Sequence, residues 1–254
     1  MGKSTLVSAL SQRIPELSAL REGDYSPVEL AWCTYMDGKA YEEICKKYEA
    51  IKEEIEKNTF REGDKYIVTY TRILTDIPEF HKTLENYEIY NGRKSAAELE
   101  EIIAARYEAF RGDGFLFECS FMQNLVEDLI LYQQFSDDEI VALYHRLYEK
   151  VDKSKFLLLY LYDEDIATQI EKIRKERCDG AGREMWYPLM LEYLKQSPYG
   201  KAIGFDGFDD MIAHFKHRQE VELRIIEEVI KENAWILPAK KFDLEEIVKR
   251  IYEE

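Results

Sequence analysis

Met1-Gly2-Lys3-Ser4-Thr5-Leu6-Val7-Ser8-Ala9-Leu10 opens the chain, and its reading decides what fold to expect. Gly2-Lys3-Ser4 matches the last fixed places of the phosphate-binding pattern G-x-x-x-x-G-K-[ST], which follows a strand and opens a helix. In that pattern backbone N–H groups curl around phosphates at a helix N-terminus, where the helix dipole favours negative charge. The lysine reaches the terminal phosphates and the hydroxyl holds Mg²⁺. From Thr5 onward, Leu6, Val7 and Leu10 fall on one helical face. A tripeptide this short also arises by chance at ordinary helix starts. Its place at the head of an amphipathic helix favours the phosphate reading. That reading implies a strand and an earlier loop glycine upstream, with Met1 an internal residue of the loop and the first strand missing from the sequence as read.

The bulk numbers narrow the class. The 254 residues fit one large domain, 1–254, with helical insertions. Hydrophobic residues make up 46%, enough for a globular core. With 51 Asp and Glu against 35 Lys and Arg, the net charge is −16, which argues against duplex nucleic acid as a partner. A nucleotide substrate remains compatible, because it needs only a local basic pocket and a metal ion. The cysteines at 33, 45, 119 and 178 lack C-x-x-C spacing, so neither a disulfide scaffold nor a zinc site is expected. A reduced, cytoplasmic setting follows. The longest apolar run, Phe156 to Tyr162, is strand-sized, and no membrane partner is expected.

Short apolar runs alternate with long helical segments, the pattern of an α/β protein with a parallel sheet flanked by helices. Strands are expected at 17–20, 65–70, 115–117, 156–161 and 234–238. Helices are expected at 41–57, from a capping box at Asp76-Ile77-Pro78-Glu79, from another at Ser95 to Glu98, and at 123–134. Further helices start at Ser136-Asp137-Asp138-Glu139, at Asp163 and at Asp243. A lid region is placed at about 163–184 and a helical segment at about 185–232.

The order of these pieces resembles the P-loop kinases of the nucleoside and nucleotide kinase type, such as thymidylate and deoxynucleoside kinases. Gly2-Lys3-Ser4-Thr5 carries the resemblance first. Glu22-Gly23-Asp24, with Ser26-Pro27-Val28-Glu29 and Trp32, is similar to the E-P-V…W region of deoxynucleoside kinases. Phe117-Glu118-Cys119-Ser120 resembles their E-R-S motif, with Cys119 in place of the arginine; Arg21 or a lid arginine is the alternative supplier of that contact. Leu158-Leu159-Tyr160-Leu161, followed by Arg174-Lys175-Glu176-Arg177, looks like the strand and arginine-bearing lid of thymidylate kinases. The resemblance implies ATP and Mg²⁺, transfer of the terminal phosphoryl group, and an adenine pocket near Pro238-Ala239-Lys240.

Phosphoryl transfer needs positioning and charge neutralisation rather than covalent help. Gly2, Lys3, Ser4 and Thr5 would form the phosphate cradle. Ser4 would hold Mg²⁺, and Glu118, ending an apolar strand, would order a metal-bound water. Arg174 and Arg177, three apart, would share a helix face and close on the phosphates. Glu22 or Asp24 would accept a hydroxyl proton or orient the acceptor. His214 and His217 have metal-ligand spacing but no third ligand in view, so structural roles are expected for them. Trp32 and the aromatic stretch from Trp186 to Tyr199 are read as packing, with a pocket wall as the alternative. The leading expectation is an ATP-dependent phosphotransferase for a small acceptor, a nucleoside or nucleotide. Open beside it stand a kinase for another metabolite or an antibiotic, a non-catalytic nucleotide- or partner-binding protein, and a homodimer.

Overall fold

The computed structural model describes residues 2–239 and 241–253. Helix α1, Lys3–Arg13, is followed by strand β1, Ser18–Leu20. Next come β2 (Met36–Asp37), α2 (Gly38–Lys47), α3 (Lys52–Lys57), β3 (Thr59–Glu62), β4 (Lys65–Val68) and α4 (Phe80–Glu85). Helix α5, Ala96–Ala109, leads to β5, Phe115–Phe117, and then to α6, Gln123–Leu131, and α7, Asp137–Tyr148. Strand β6 is Leu158–Tyr162, followed by α8 (Ile166–Glu176), α9 (Trp186–Gln196), α10 (Pro198–Ile203) and α11 (Phe208–Ile225). Strand β7, Ala234–Pro238, and α12, Leu244–Glu253, complete the chain's elements.

The fold is α/β, with small parallel sheets flanked by helices. Its sheets are smaller than the single sheet expected. β1 pairs with β5 in parallel, Ser18 opposite Phe115. β6 pairs with β7 in parallel, Leu158 opposite Ala234. A third sheet, β2-β4-β3, is antiparallel, so the expected strand at 65–70 belongs to a hairpin and not to the parallel layer. The Gly63-Asp64 pair makes the tight turn, with Gly63 at φ 59°, as two-residue hairpin loops favour.

Period-two alternation sorts the parallel strands onto two faces. On one face Leu116 of β5 joins Leu157, Leu159 and Leu161 around β6 and Trp235 and Leu237 of β7. These pack under α1, through Leu6 and Leu10, and α12, through Ile247 and Val248. On the other, Phe117, Leu158, Tyr160 and Ala234 meet the main core, built on α5, α6, α7 and α11. The residues around the β2-β4-β3 hairpin pack a separate cluster that includes Ile55, Val68, Tyr70 and Phe80.

The capping boxes expected at Ser95 and Ser136 are present, each hydroxyl accepting from a backbone N–H and each Glu returning the bond. The box expected at Asp76 to Glu79 is not. Glu79 takes a left-handed conformation, makes no side-chain cap, and the helix begins at Phe80, whose ring is buried. Burial of Phe80 and Leu84 sets that helix start, overriding the local signal. The helix expected over 41–57 breaks at Tyr48, which is buried against Phe80 and bonds Thr83. Among the described residues no helix is long and apolar enough to cross a membrane.

Candidate functional site

Helix α1 starts on Gly2, whose φ of 98° is open to glycine at little cost. Leu6 N–H donates to the Gly2 carbonyl, so the N–H groups ahead of Leu6 have no partner within the helix. Lys3, Ser4 and Thr5 are exposed on that first turn, and Lys3 makes no ion pair among the described residues. The Ser4 hydroxyl donates to Glu118 Oε1. Glu118 follows β5, is buried, and faces Arg21 Nη1 at 3.7 Å. Arg21, ending β1's run, also donates to Ser8 at 2.8 Å. It thus supplies the charge beside Glu118 that Cys119 cannot. Burial pushes the Cys119 thiol up to about 12, so it offers no anion or cation there.

These groups open onto a cavity of about 1410 Å³. Small-ligand pockets run to roughly 300–1,000 Å³, so this one holds more than a single small molecule needs. Gly2, Lys3, Ser4, Glu22, Glu118 and Arg177 all line it. Asp24 does not: it is bound to Arg72 and accepts from the Arg21 N–H at 2.8 Å. Between the two acids, the cavity therefore selects Glu22, which receives Gln123 Nε2 at 3.4 Å. Arg174 is also elsewhere. Its guanidinium is paired with Glu184 at 3.0 and 3.1 Å and lies over the Tyr187 ring at 4.1 Å. Helical spacing put both arginines on one face, but α8 ends at Glu176, so Arg177 leaves the helix and lies over Trp186. Ala239 lines the cavity, whereas Pro238 is exposed outside it, and Lys240 lies outside the described residues.

Four non-glycine residues lining the cavity, Trp32, Asn91, Cys119 and Phe121, have positive φ between 58° and 73°. Such conformations cost of order 1–3 kcal/mol each and persist where the surroundings over-determine them, often at functional sites. Asn91, followed by Gly92, is a residue type that tolerates this conformation; nothing in the local sequence signals the other three.

Part of the lining is polar, and its pairing across helices was not legible in the sequence. Arg218 of α11 pairs with Glu127 of α6 at 3.1 Å and with Glu222 at 3.2 Å. Glu222 receives the Tyr160 hydroxyl at 2.7 Å. Burial alone would raise the Glu127 carboxyl, but Arg218 and His214 outweigh it and hold it at about 2. Asn124 Nδ2 and Gln169 Oε1, a donor and an acceptor, line the same cavity without a hydrogen-bond partner among the described residues. Trp186, Met190 and Tyr193 add an aromatic and apolar wall. The two histidines take separate structural partners, His214 with Glu127 at 3.2 Å and His217 with Asp137 at 2.8 Å. Among the described residues no cluster of three or more His, Cys, Asp or Glu is placed to hold a metal. Ser4 and Glu118 form an oxygen-only pair, the donor chemistry that suits Mg²⁺, an ion that takes few protein ligands beside its substrate's phosphates.

The chain matches no family model, no curated protein and no solved structure.

Proposed function

We propose that the protein is an ATP-dependent phosphotransferase of the P-loop kinase kind, acting on a small acceptor hydroxyl or phosphate such as that of a nucleoside or nucleotide. One observation carries the reading. The left-handed Gly2, Lys3 with no ion pair among the described residues, and the Ser4–Glu118 contact line one large cavity. Orphan N–H groups and a free ammonium there suit a polyphosphate. The same cavity offers an amide donor and an acceptor, unpartnered among the described residues, together with aromatic rings, which suits a planar polar acceptor.

In this mechanism Lys3 and the first turn of α1 hold the terminal phosphates and neutralise their charge. Ser4 and Glu118 would hold Mg²⁺, which supplies further neutralisation when bound. Glu22 takes the proton of the acceptor hydroxyl as its oxygen bonds the terminal phosphorus. The bond to the bridging oxygen breaks, and that oxygen leaves with the electron pair on ADP. Arg177, at the edge of the cavity, adds charge on the transferred group.

The test is ADP formation from Mg-ATP with a panel of nucleosides, deoxynucleosides and their monophosphates. Acceptor-dependent ADP release that Lys3→Ala abolishes is the expected result. Release that Lys3→Ala leaves unchanged removes the site. A second reading, nucleotide binding without transfer, is favoured by the buried Cys119 next to Glu118. It predicts a Lys3-dependent thermal shift with Mg-ATP and no ADP under any acceptor.

A further inference from the structure

The cavity lining is more acidic than a polyphosphate alone would favour. Among the described residues, nine Asp and Glu line it against six Lys and Arg. Two of those bases are already paired with lining acids, Arg93 with Glu85 at 3.5 Å and Lys155 with Asp113 at 3.4 Å. Arg218 is spent twice over, because the buried carboxylates of Glu127 and Glu222 share its one guanidinium. His214 does not restore the balance. It is not among the lining residues, it reaches Glu127 through Nε2, and its buried Nδ1 has no partner among the described residues. An imidazolium would strand a buried N–H at Nδ1, so the ring serves Glu127 as a neutral donor. Tyr160 likewise donates to Glu222 without adding charge. One negative charge is left over, and a buried charge calls for a partner.

The groups around that charge suit an organic cation. Gln169 Oε1 is a buried acceptor with no partner among the described residues, and Gln169 lines the same cavity. Trp186, Tyr193 and Phe215 line it too, and aromatic faces attract ammonium groups. A metal ion fits less well, since no cluster of three or more His, Cys, Asp or Glu among the described residues is placed to hold one. Helix α6 sets the distance from this charge to Glu22. Gln123, whose amide bonds Glu22, and Glu127 are four apart on α6, so they share a face about 6 Å apart along the axis. Asn124 lies between them, with an amide N–H unpartnered among the described residues.

We propose that the cavity takes an amino alcohol. Its protonated amine meets Gln169 and the carboxylate excess at Glu127 and Glu222. Its hydroxyl lies about 6 Å from the amine, at Glu22. Asn124 donates to a further oxygen where the ligand carries one. That the hydroxyl is the one phosphorylated rests on the phosphotransferase reading; the amine site does not.

The experiment is a ligand-observed NMR titration of the 254-residue protein with two probes. One is trans-4-aminocyclohexanol, whose amine and hydroxyl stand across a ring, and the other is the uncharged trans-cyclohexane-1,4-diol. The amine is expected to bind about ten-fold or more tighter than the diol. Glu222→Gln leaves one carboxylate to one guanidinium and should remove that preference. Gln169→Leu leaves the charges in place and should lower it by about three-fold or more, which keeps the test decisive should the buried Glu222 variant fail to fold. Equal binding of the two probes, binding of neither, or a preference that the variants keep overturns the proposal. The variants are needed because a chain of net charge −16 attracts cations over its whole surface. No nucleotide enters the titration. Adding Mg-ATP separates the two proposals: amine binding without ADP release would remove the transfer reading alone. Lys3-dependent ADP release with uncharged acceptors, and no amine preference, would remove this one alone.

Discussion

Glu22 and Asp24 are two residues apart and chemically alike, yet the fold gives them different work. Asp24 is consumed by Arg72 and the Arg21 N–H, while Glu22 faces the cavity. The sequence left the two even because neither spacing nor composition shows where Arg72 will come. Glu118 was legible, since an acid ending an apolar strand needs a partner, and it has Ser4 and Arg21. The pairing of Arg218 with Glu127 was not, because the two stand on helices far apart in sequence; only the Arg218–Glu222 pair, four apart on α11, has a local signal. Two substitutions separate these roles. Glu118→Gln keeps an acceptor for Ser4 and removes the charge, so turnover should fall by about ten-fold or more with nucleotide affinity changed much less. Steady-state kinetics alongside equilibrium binding decides this, and a loss of affinity alone would take Glu118 out of the proposed role. Asp24→Asn should spare turnover and cost about 0.5–1 kcal/mol of stability, because the Arg72 pair is partly exposed. Turnover falling with Asp24→Asn would reverse the choice between the two acids.

At the level of elements, the two serine capping boxes located their helix starts to the residue. Ser95 and Ser136 are followed three residues on by Glu98 and Glu139, and both reciprocal pairs form. Asp76 to Glu79 carries a similar signature, but burial of Phe80 and Leu84 decided that helix instead. Strand β3, Thr-Phe-Arg-Glu, escaped because its charges hid the alternation; the signal was the Gly63-Asp64 turn between it and β4. Ser136→Ala should destabilise by about 1 kcal/mol, as loss of an N-cap usually does. Urea melts should show the midpoint falling with the slope unchanged. Ser136→Asp should restore most of the loss, since a carboxylate also caps and suits the helix N-terminus. A cost equal for both variants would mean the hydroxyl matters for something other than capping.

Across the whole molecule, buried carboxyls set how stability should follow pH. Burial raises Glu29 from 4.5 to about 7, despite its bonds from Tyr90 and from the Leu30 and Ala31 N–H groups. Burial raises Glu88 likewise to about 7. Between pH 4.5 and 7 the folded chain keeps protons on these groups that the unfolded chain has released. Stability from them is therefore full below about 4.5 and is lost as pH rises through 7. A shift of this size corresponds to at most about 3 kcal/mol for each group. Glu127 works in the opposite sense. It is held at about 2, so its contribution is present above 4.5 and lost as pH falls toward 2. The net charge of −16 adds self-repulsion toward alkaline pH. The melting temperature should thus be higher near pH 5 than near pH 8. Glu29→Gln isolates one part of that difference. The amide oxygen can keep all three bonds, which arrive at one carboxylate oxygen, and nothing remains to ionise. The variant should match the parent near pH 5 and exceed it near pH 8 by about 2–3 kcal/mol. Equal stability of the two proteins at both pH values would place the carboxyl's titration in the ordinary range and leave the surface charge as the sole cause of any alkaline loss.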